Sequence, residues 1–321
     1  MLMVAVLMWQ TGDRNPAGTV LLFVGRWIYL VPLALLAWIA RRRNRVMFLP
    51  LGLTTAVILF PVMGLTLGVR RLWFAPSGTP IRVVTFNTAA ADSVTDNLPG
   101  LLARWQPDIV AFQECSPGLA AALAGLAGWH AHVERPLCLL SRYPITVAQP
   151  MDRTSLERVR TEGLSGAGGA GYVVRYVLQT PAGPVGFTNL HLETARKGLE
   201  TLLGSTDLAL IRENSELRDI EGERARAWVD AGLVPMIVAG DFNAAREGRA
   251  FRDHWGDLGN AFSRVGWGFG ATRLNGWIRI RIDHVLFGTG LAAVRARVGE
   301  DAYSDHRPLI VDLRRLERIV E

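Results

Sequence analysis

Short polar clusters follow or interrupt apolar runs at six places in the 321-residue chain. They are Asn87, Glu114, His191, Asp241 with Asn243, Asp283, and Asp305 with His306. Apolar runs of four to eight residues are typical of buried strands, so we expect these side chains at strand ends. Hydrolysis of a phosphate ester with a metal ion needs a cation, a base for water and an acid for the leaving oxygen. Carboxylates and amides can bind the cation, and carboxylates and imidazoles can act as the base and the acid, so the pattern predicts a phosphoesterase site.

Glu114 is the best candidate for a metal ligand. It comes shortly after the apolar run Ile109–Phe112, which would place its carboxylate at the edge of a sheet. Mg²⁺ takes oxygen ligands and keeps several waters, so one or two carboxylates suffice. Asp305 would be free to act as a second ligand. A solvated strand end is the simpler alternative for Glu114.

Asp241 and Asn243 alternate with Phe242, so we expect their side chains to share one face of an extended segment. One carboxylate and one amide in that arrangement can orient a water and hold a phosphate oxygen. An Asx-type turn after a strand is the alternative.

Asp283 and His306 are predicted to form a hydrogen-bonded pair. A carboxylate beside an imidazole fixes its tautomer and favours its protonated form. His191 ends an apolar run and is the candidate general acid, or a donor to the phosphate.

The first 70 residues are strongly apolar. Residues 18–40 form a run broken only by Arg26, and residues 46–69 form a second run without charge. At 1.5 Å per residue, either run is long enough as a helix to cross a hydrocarbon core of about 30 Å. We therefore expect a membrane anchor over residues 1–74 with transmembrane helices at 18–40 and 46–69; two buried core helices are the alternative. Residues 75–80 are predicted to be a linker and 81–321 a catalytic domain.

The arginine-rich segment 41–45 favours a cytoplasmic loop between the two helices, because short basic loops stay on that side. The predicted location is therefore a multi-pass membrane protein whose catalytic domain lies outside the cytoplasm.

The formal net charge of +6 comes from the predicted anchor. Residues 1–80 carry a net charge of +7, and residues 81–321 carry −1. Proteins that bind nucleic acid tightly usually present a basic surface. The charge balance lowers the expectation of tight DNA binding, although arginine pairs such as Arg279 with Arg281 could still bind phosphates.

The two cysteines lack the spacing of a metal site. Cys115 and Cys138 both lie in apolar, strand-like runs. They are either buried small hydrophobic residues or a disulfide formed in an oxidising compartment.

Strand-like and helical runs alternate from residue 81 to the end of the chain. A predicted hairpin of Tyr172–Leu178 and Val185–Leu190, together with a helix over Asn214–Val229, favours two sheets covered by helices over a single parallel sheet. A single strand is expected over Ile280–Phe287.

A series of motifs over residues 81–321 resembles the endonuclease/exonuclease/phosphatase superfamily, which includes pancreatic-type deoxyribonucleases, abasic-site endonucleases, sphingomyelinases and inositol-polyphosphate phosphatases. The motifs are Val84-Thr85-Phe86-Asn87, Phe112-Gln113-Glu114, Leu140-Ser141-Arg142-Tyr143-Pro144-Ile145, Asn189-Leu190-His191, Gly240-Asp241-Phe242-Asn243, Arg281-Ile282-Asp283-His284 and Ser304-Asp305-His306-Arg307-Pro308. The resemblance implies the α/β fold class, with a four-layered α/β sandwich of two packed mixed sheets flanked by helices, here preceded by the transmembrane helices. It also implies Mg²⁺ or Mn²⁺ as the cofactor.

The resemblance implies a role for each matching residue. Glu114 would be the principal metal ligand, with Asn87 and Asp305 nearby. Asp241 and Asn243 would lie around the scissile phosphate.

In the same resemblance, Asp283 would orient His306, and the base would be either Asp241 or His306. His191 matches the deoxyribonuclease and sphingomyelinase branches of the superfamily.

Three basic residues are further candidates for binding a substrate phosphate. Arg196 and Lys197 come just after His191, in a segment specific to this chain, and Arg279 precedes Asp283. A solvated insertion is the alternative for the first two.

The leading hypothesis is a membrane-anchored, divalent-metal-dependent phosphodiesterase or endonuclease. Its substrate would be a phosphodiester, either a nucleic acid or a phospholipid head group. The alternatives are a sphingomyelinase-like lipid phosphodiesterase or phosphatase and an inactive membrane scaffold.

Overall fold

The computed structural model describes residues 1–43, 45–69, 79–154, 156, 171–200, 208–276 and 278–316. The α-helices in this part of the chain are α1 (Leu2–Gln10), α2 (Pro16–Phe23), α3 (Leu30–Arg43), α4 (Phe48–Val57), α5 (Asp92–Asp96), α6 (Leu98–Trp105), α7 (Pro117–Ala124), α8 (Arg196–Glu200), α9 (Ala209–Asp230), α10 (Arg249–Trp255) and α11 (Ala261–Val265). The strands are β1 (Ile81–Asn87), β2 (Ile109–Gln113), β3 (His130–Glu134), β4 (Leu137–Ser141), β5 (Ile145–Pro150), β6 (Tyr172–Thr180), β7 (Gly183–His191), β8 (Met236–Asp241), β9 (Gly259–Asn260), β10 (Arg273–Asn275), β11 (Ile278–Ile280), β12 (Asp283–Phe287), β13 (Leu291–Val298) and β14 (Leu309–Arg315).

Two six-stranded sheets form the centre of the molecule. Sheet A has the order β13-β14-β1-β2-β4-β3, and sheet B has the order β5-β6-β7-β8-β12-β9. Each is mixed: β1 and β2 are parallel in sheet A, as are β7 and β8 in sheet B, and the other pairings are antiparallel. β10 and β11 form a separate hairpin. The predicted pair of mixed sheets flanked by helices is confirmed.

Three apolar layers hold this sandwich together. The inner layer joins the facing sides of the sheets, with Val83 and Ile109 from sheet A against Phe187 and Ile237 from sheet B. One outer layer packs α6 and α7 on sheet A, and the other packs α9 and α10 on sheet B. Strands buried on both faces need near-continuous apolar runs, which explains the runs seen in the sequence.

The predicted transmembrane helices 18–40 and 46–69 do not form as such. No single helix among the described residues is long and apolar enough to cross a membrane; α2 together with residues 26–42 passes on length and composition, but the two are bent by 88°. The first run breaks after α2, where Val24 is extended. The second ends in a π-helical turn, Ile58–Val62, that contains Pro61, and proline cannot supply the N–H that a continuing helix needs.

The N-terminal segment packs against α9 and the start of α10 through buried polar contacts. Asp13 is buried and accepts hydrogen bonds from the backbone N–H of Ala250 (2.9 Å) and from Arg218 (3.4 Å). Arg26 forms an ion pair of 2.9 Å with Glu247. Of the predicted linker 75–80, residues 75–78 lie outside the described part of the chain.

The expected single strand Ile280–Phe287 is two strands in different sheets. β11 pairs with β10 in the hairpin, whereas β12 pairs with β8 in sheet B. Arg281 and Ile282 join them, so the chain changes sheets immediately before Asp283.

The two cysteines form a disulfide between the segment after β2 and β4. Both are also buried, so the structure combines the two alternatives that the sequence left open.

Candidate active site

The strand register gathers the predicted polar residues at one edge of the sandwich. β1 and β2 run parallel with Asn87 opposite Gln113, so the next residue, Glu114, leaves the sheet beside Asn87. In sheet B, β7 and β8 run parallel with His191 opposite Asp241. β12 is antiparallel to β8, so its first residue, Asp283, also pairs with Asp241.

Asn87 connects the two sheets at this edge. Its Nδ2 donates to Oε1 of Glu114 and to Oδ2 of Asp241, at 3.0 Å each. Asn87 and Asp241 are each 1% exposed, whereas the Glu114 side chain is 40% exposed. Glu114 follows the end of β2 with a positive φ of 51°, which turns the chain away from the sheet.

His191 lies between the same two carboxylates. Its Nε2 is 3.8 Å from Oε1 of Glu114 and 3.7 Å from Oδ2 of Asp241. These distances exceed hydrogen-bond length, so the contacts are electrostatic.

Asp283 and His306 form the predicted pair. Nδ1 of His306 and Oδ2 of Asp283 are 2.9 Å apart, and both side chains are fully buried. Nε2 of His306 lies 3.8 Å from Oδ2 of Asp241. Thr272 accepts the backbone N–H of Asp283 at 3.1 Å and fixes the start of β12.

The pKa values of the buried acids move in opposite directions. Burial and the charge of Asp283 raise the pKa of Asp241, against the charges of His306 and His191. Burial also favours a raised pKa for Asp283, but the charge and hydrogen bond of His306 outweigh it and lower that pKa. The two acids are therefore differentiated, with Asp283 the more firmly ionised.

His306 is subject to opposing influences. Burial lowers its pKa, but the charges of Asp283 and Asp241 outweigh it and raise the value to about 9, with Arg273 opposing them. Nη1 of Arg273 is nevertheless only 2.6 Å from Nε2 of His306. A contact between a guanidinium and Nε2 at this distance requires a lone pair on Nε2. The contact with Arg273 therefore favours a neutral ring with its proton on Nδ1, whereas the carboxylates of Asp283 and Asp241 favour the protonated ring.

Arg273 is a site residue that the sequence reasoning missed. Besides His306, it contacts Asp305, with Nη2 2.7 Å from Oδ2. The signal in the sequence is Asn275-Gly276, a dipeptide typical of hairpin turns. The turn pairs β10 with β11 and places Arg273 opposite Ile280. Ile280 lies shortly before Asp283, the first residue of β12.

Ser304, part of the Ser304-Asp305-His306 motif, links His306 to the end of β1. Its Oγ donates to the backbone oxygen of Asn87 at 2.9 Å and accepts the backbone N–H of His306 at 3.1 Å. These two hydrogen bonds join the segment that carries Asp305 and His306 to the end of β1.

Asn243 departs from the expected arrangement. β8 ends at Asp241, and Asn243 has a positive φ of 47°, so the alternation of an extended strand does not continue. Its backbone N–H donates to Oδ1 of Asp241 and its Nδ2 to the oxygen of Leu192, both at 2.8 Å. Asn243 thus closes an Asx-type turn, the alternative stated for it.

The three basic candidates are not gathered around Asp241. Arg196 is exposed and pairs with Glu200 at 3.5 Å, and Lys197 pairs with the buried Glu193 at 3.0 Å. Lys197 therefore neutralises a carboxylate inside the insertion. Arg279 lies on β11 and lines a polar cavity between the β10–β11 hairpin and β13.

The chemistry of three residues at the site suits a hard divalent cation. The exposed carboxylate of Glu114 is an oxygen donor, the type that Mg²⁺ prefers. The side-chain oxygen of Asn87, which accepts the backbone N–H of Ala89, and the half-exposed carboxylate of Asp305, which pairs with Arg273, are further oxygen donors. Asp241, Asp283 and His306 are also close enough together to resemble a metal site. Both nitrogens of His306 are, however, already engaged by Asp283 and Arg273. This second group is therefore less open to a cation than the carboxylate of Glu114.

The sequence profile of the Endonuclease/Exonuclease/phosphatase family matches residues 84–306, well over half of the chain. No curated protein matches the chain significantly.

Several solved structures share the fold at low sequence identity. A humanized D. rerio TDP2 has a TM-score of 0.56 at 12% identity and covers 74% of this chain and 100% of its own. The human Nocturnin catalytic domain with bound sulfate has a TM-score of 0.53 at 16% identity, covering 77% and 99%. The 3′ phosphatase NExo from Neisseria, bound to a product DNA hairpin, has a TM-score of 0.53 at 17% identity, covering 72% and 98%. At these identities the likeness concerns the fold.

Proposed function

Since the chain belongs to the Endonuclease/Exonuclease/phosphatase family, we propose that it is a divalent-metal-dependent phosphodiesterase whose active site is the cluster at the edge of the two sheets. One observation carries this proposal: Asn87 joins Glu114, the candidate metal ligand, to Asp241, which lies 3.8 Å from the His306 imidazole. Groups for metal binding and for proton transfer are therefore adjacent.

Each residue has a role in the proposed reaction. Glu114, Asn87 and Asp305 would hold Mg²⁺ or Mn²⁺, which when bound would supply the positive charge that stabilises the charge developing on the phosphate. A water attacks phosphorus, the bond from phosphorus to the leaving oxygen breaks, and that oxygen takes up a proton. Asp241 or His306 accepts the proton of the water.

The other polar residues position these groups. Asp283 orients His306, and His191 donates a proton or a hydrogen bond near the phosphate. Asn243 holds the Asp241 carboxylate through its backbone N–H.

The first test is activity of the full chain, purified in detergent, on bis(p-nitrophenyl) phosphate with Mg²⁺ and with EDTA. Glu114→Gln removes the ligand charge and should lower the Mg²⁺-dependent rate by about 100-fold or more, because a catalytic metal contributes several kcal/mol. Glu134→Gln, an exposed glutamate on β3, is the matched control and should keep the wild-type rate. A wild-type protein without any metal-dependent hydrolysis would refute the proposal in favour of an inactive scaffold.

The substrate class is the second part of the proposal. The relatives named above include a phosphatase bound to product DNA, and a phosphodiesterase acting on nucleic acid is the first candidate. Exposed apolar side chains on α3 and α4 favour a lipid phosphodiesterase as the second; Leu35, Trp38 and Leu49 are examples. DNA, RNA, sphingomyelin and phosphoinositides should be compared at several salt concentrations. Steep loss of activity with salt supports a nuclease, and a flat profile with turnover of a lipid supports the second candidate.

We also propose that residues 1–69 associate with a membrane and that the catalytic domain lies outside the cytoplasm. The exposed apolar surface supports the first part, and the Cys115–Cys138 disulfide supports the second, since disulfides persist in oxidising compartments. Protease treatment of sealed vesicles tests the orientation. Cleavage of the catalytic domain only when the cytoplasmic face is exposed would contradict it.

A further inference from the structure

A polar cavity lies outside the proposed catalytic cluster. It has a volume of about 700 Å³ and is bounded by the β10–β11 hairpin, β13, α11 and the N-terminal segment near Trp27 and Met63. Six arginines line it: Arg26, Arg279, Arg281, Arg295, Arg297 and Arg307. Asn87, Glu114, Asp241 and His306 are absent from its lining.

The lining of this cavity carries an excess of positive charge. Glu247 is its only lining acid among the described residues, and it pairs with Arg26 at 2.9 Å. None of the other five arginines forms an ion pair within the described ranges. On β13, burial lowers the pKa of Arg297 and the charge of Arg295 lowers it further. Such repulsion opposes folding unless an anion offsets it.

Arg281 adds a buried donor group without enough acceptors. It is only 7% exposed, and its Nη2 donates to Ser263 at 3.2 Å. Its Nε and Nη1 are buried and have no hydrogen-bond partner among the described residues. Burial lowers its pKa to about 10, with Glu247 opposing and Arg246 and Arg26 adding to the shift. Buried guanidinium donors are normally satisfied, so these two groups of Arg281 are available to an acceptor that enters the cavity.

Apolar groups lie beside these charges. Trp267 is 69% exposed and Phe269 is also exposed, and both line the cavity. Phe262 packs under the Arg281 guanidinium at 4.7 Å. The cavity therefore offers cationic and aromatic surfaces together.

We propose that this cavity is an anion-binding site for the phosphate group of a ligand whose apolar part lies against Trp267 and Phe269. Several arginine forks around one site match a phosphate, which offers several acceptor oxygens. The volume is that of a site for a small molecule or a head group, and the net charge of −1 on residues 81–321 argues against a long nucleic acid. The proposal concerns binding and does not depend on the catalytic proposal.

The test is calorimetric titration of the full chain in detergent with inorganic pyrophosphate in EDTA, which removes divalent metal from the catalytic cluster. We expect one site per chain. The double variant Arg295→Gln with Arg297→Gln should bind roughly ten-fold more weakly or worse, because it loses two charge-assisted contacts. Its fold can be checked by circular dichroism.

Two controls make the result specific. Arg142→Gln with Arg212→Gln removes the same charge from exposed arginines outside the cavity lining and should bind pyrophosphate as the wild type does. Glu114→Gln should also bind normally, which separates this site from the catalytic cluster. Equal binding by the β13 double variant, or no binding by the wild type, overturns the proposal.

The source of the phosphate is decided by comparing ligands. Flotation with vesicles of phosphatidylcholine, with and without phosphatidic acid, measures the lipid contribution, and titration with glycerol phosphate measures the soluble one. A preference for phosphatidic acid that the β13 variant loses identifies a lipid head group. Loss of glycerol phosphate binding alone identifies a soluble phosphoester.

Discussion

Single side chains join parts of this site that the sequence holds far apart. The Asn87 amide contacts one carboxylate from each sheet. A second amide pair lies deeper: Nε2 of Gln113 donates to Oδ1 of Asn189 at 2.7 Å, and Asn189 donates to the backbone oxygens of Phe112 and Cys138. The sequence signal for such a link is a polar residue at or near the end of an apolar strand. Buried amides of this kind fix the relative position of two sheets, because a buried donor that loses its acceptor cannot bond to solvent instead.

Arg273 should affect catalysis through the two residues it holds. Arg273→Met keeps much of the length but loses the contacts with Asp305 and His306, so both side chains lose their orientation. We expect kcat on bis(p-nitrophenyl) phosphate to fall by roughly ten-fold or more, with a smaller change in KM. Arg273→Lys should recover little, because an ammonium cannot bridge two partners as a planar fork does. Arg212→Met, in an exposed position on α9, is the control; an unchanged kcat in Arg273→Met would refute this role.

Glu221 on α9 should make stability depend on pH. Burial raises its pKa to about 8; the charge of Glu193 adds to this, while a backbone hydrogen bond from Glu193 and the charges of Arg218 and Arg153 oppose it. The folded state therefore keeps a proton that the unfolded chain releases near the ordinary value of 4.5. The resulting stability is complete below about pH 4.5 and is lost as the pH rises to about 8.

Glu221→Gln stays neutral and avoids this loss. We expect its melting temperature, relative to the wild type, to rise from pH 5 to pH 8 and then level off. Glu213→Gln, exposed on the same helix, should show no such trend. A difference between Glu221→Gln and the wild type that is constant over this range would contradict the explanation.

At the scale of elements, the strand ends could be predicted and the register could not. The apolar runs placed Asn87, Glu114, His191 and Asp241 at strand ends because each run is long enough for one buried strand. Pairing of Asp283 with Asp241 depends instead on β12 running antiparallel to β8, a long-range choice. Arg273 was missed for the same reason: its contacts depend on where a hairpin folds back. The local apolar pattern determines which residues lie at strand ends. The long-range pairing of strands determines which of these residues contact one another.

The closeness of β7 and β8 explains Gly240. A Cβ there would lie 2.0 Å from the backbone oxygen of Leu190. Gly240→Ala must push the strands apart next to Asp241 and should destabilise the fold by about 1–3 kcal/mol. Thermal unfolding measures this.

The control for that substitution is Gly100→Ala on α6. A Cβ at Gly100 meets nothing within 4 Å, and alanine favours a helix over glycine by up to about 1 kcal/mol. We expect no loss, or a small gain, of stability. Equal melting temperatures of Gly240→Ala and the wild type would show that the strands tolerate the added methyl group.

At the scale of the whole molecule, the apolar N-terminal segment is held by charges. Asp13 is buried between α9 and α10, Arg14 pairs with Asp219 and Asp253, and Arg252 donates to the backbone of Trp9. Hydropathy alone predicted two membrane helices here. A hydropathy pattern contains no information about long-range ion pairs, and Arg26 inside the first run pairs with Glu247, more than 200 residues away.

Docking of this segment can be tested by cutting the chain. With a protease site inserted between residues 69 and 79, the two fragments should remain together in detergent after cleavage. Asp13→Ala leaves the Ala250 N–H without its acceptor and removes one of the acceptors of Arg218, so it should release the N-terminal fragment; Asp92→Ala, at an exposed aspartate, should not. Size-exclusion chromatography gives the result, and wild-type fragments that separate at once would contradict the docking.

Asn87 contacts one carboxylate from each sheet, so the inner apolar layer between the sheets also affects the geometry of the site. Glu114 is carried by sheet A and Asp241 by sheet B, so the thickness of the layer between them sets how far apart these carboxylates lie. A close-packed interior hardly compresses, and side chains such as Val83 and Phe187 therefore act as a spacer of fixed width. A smaller side chain at one of these positions that leaves the protein folded would therefore change the distance between the two carboxylates.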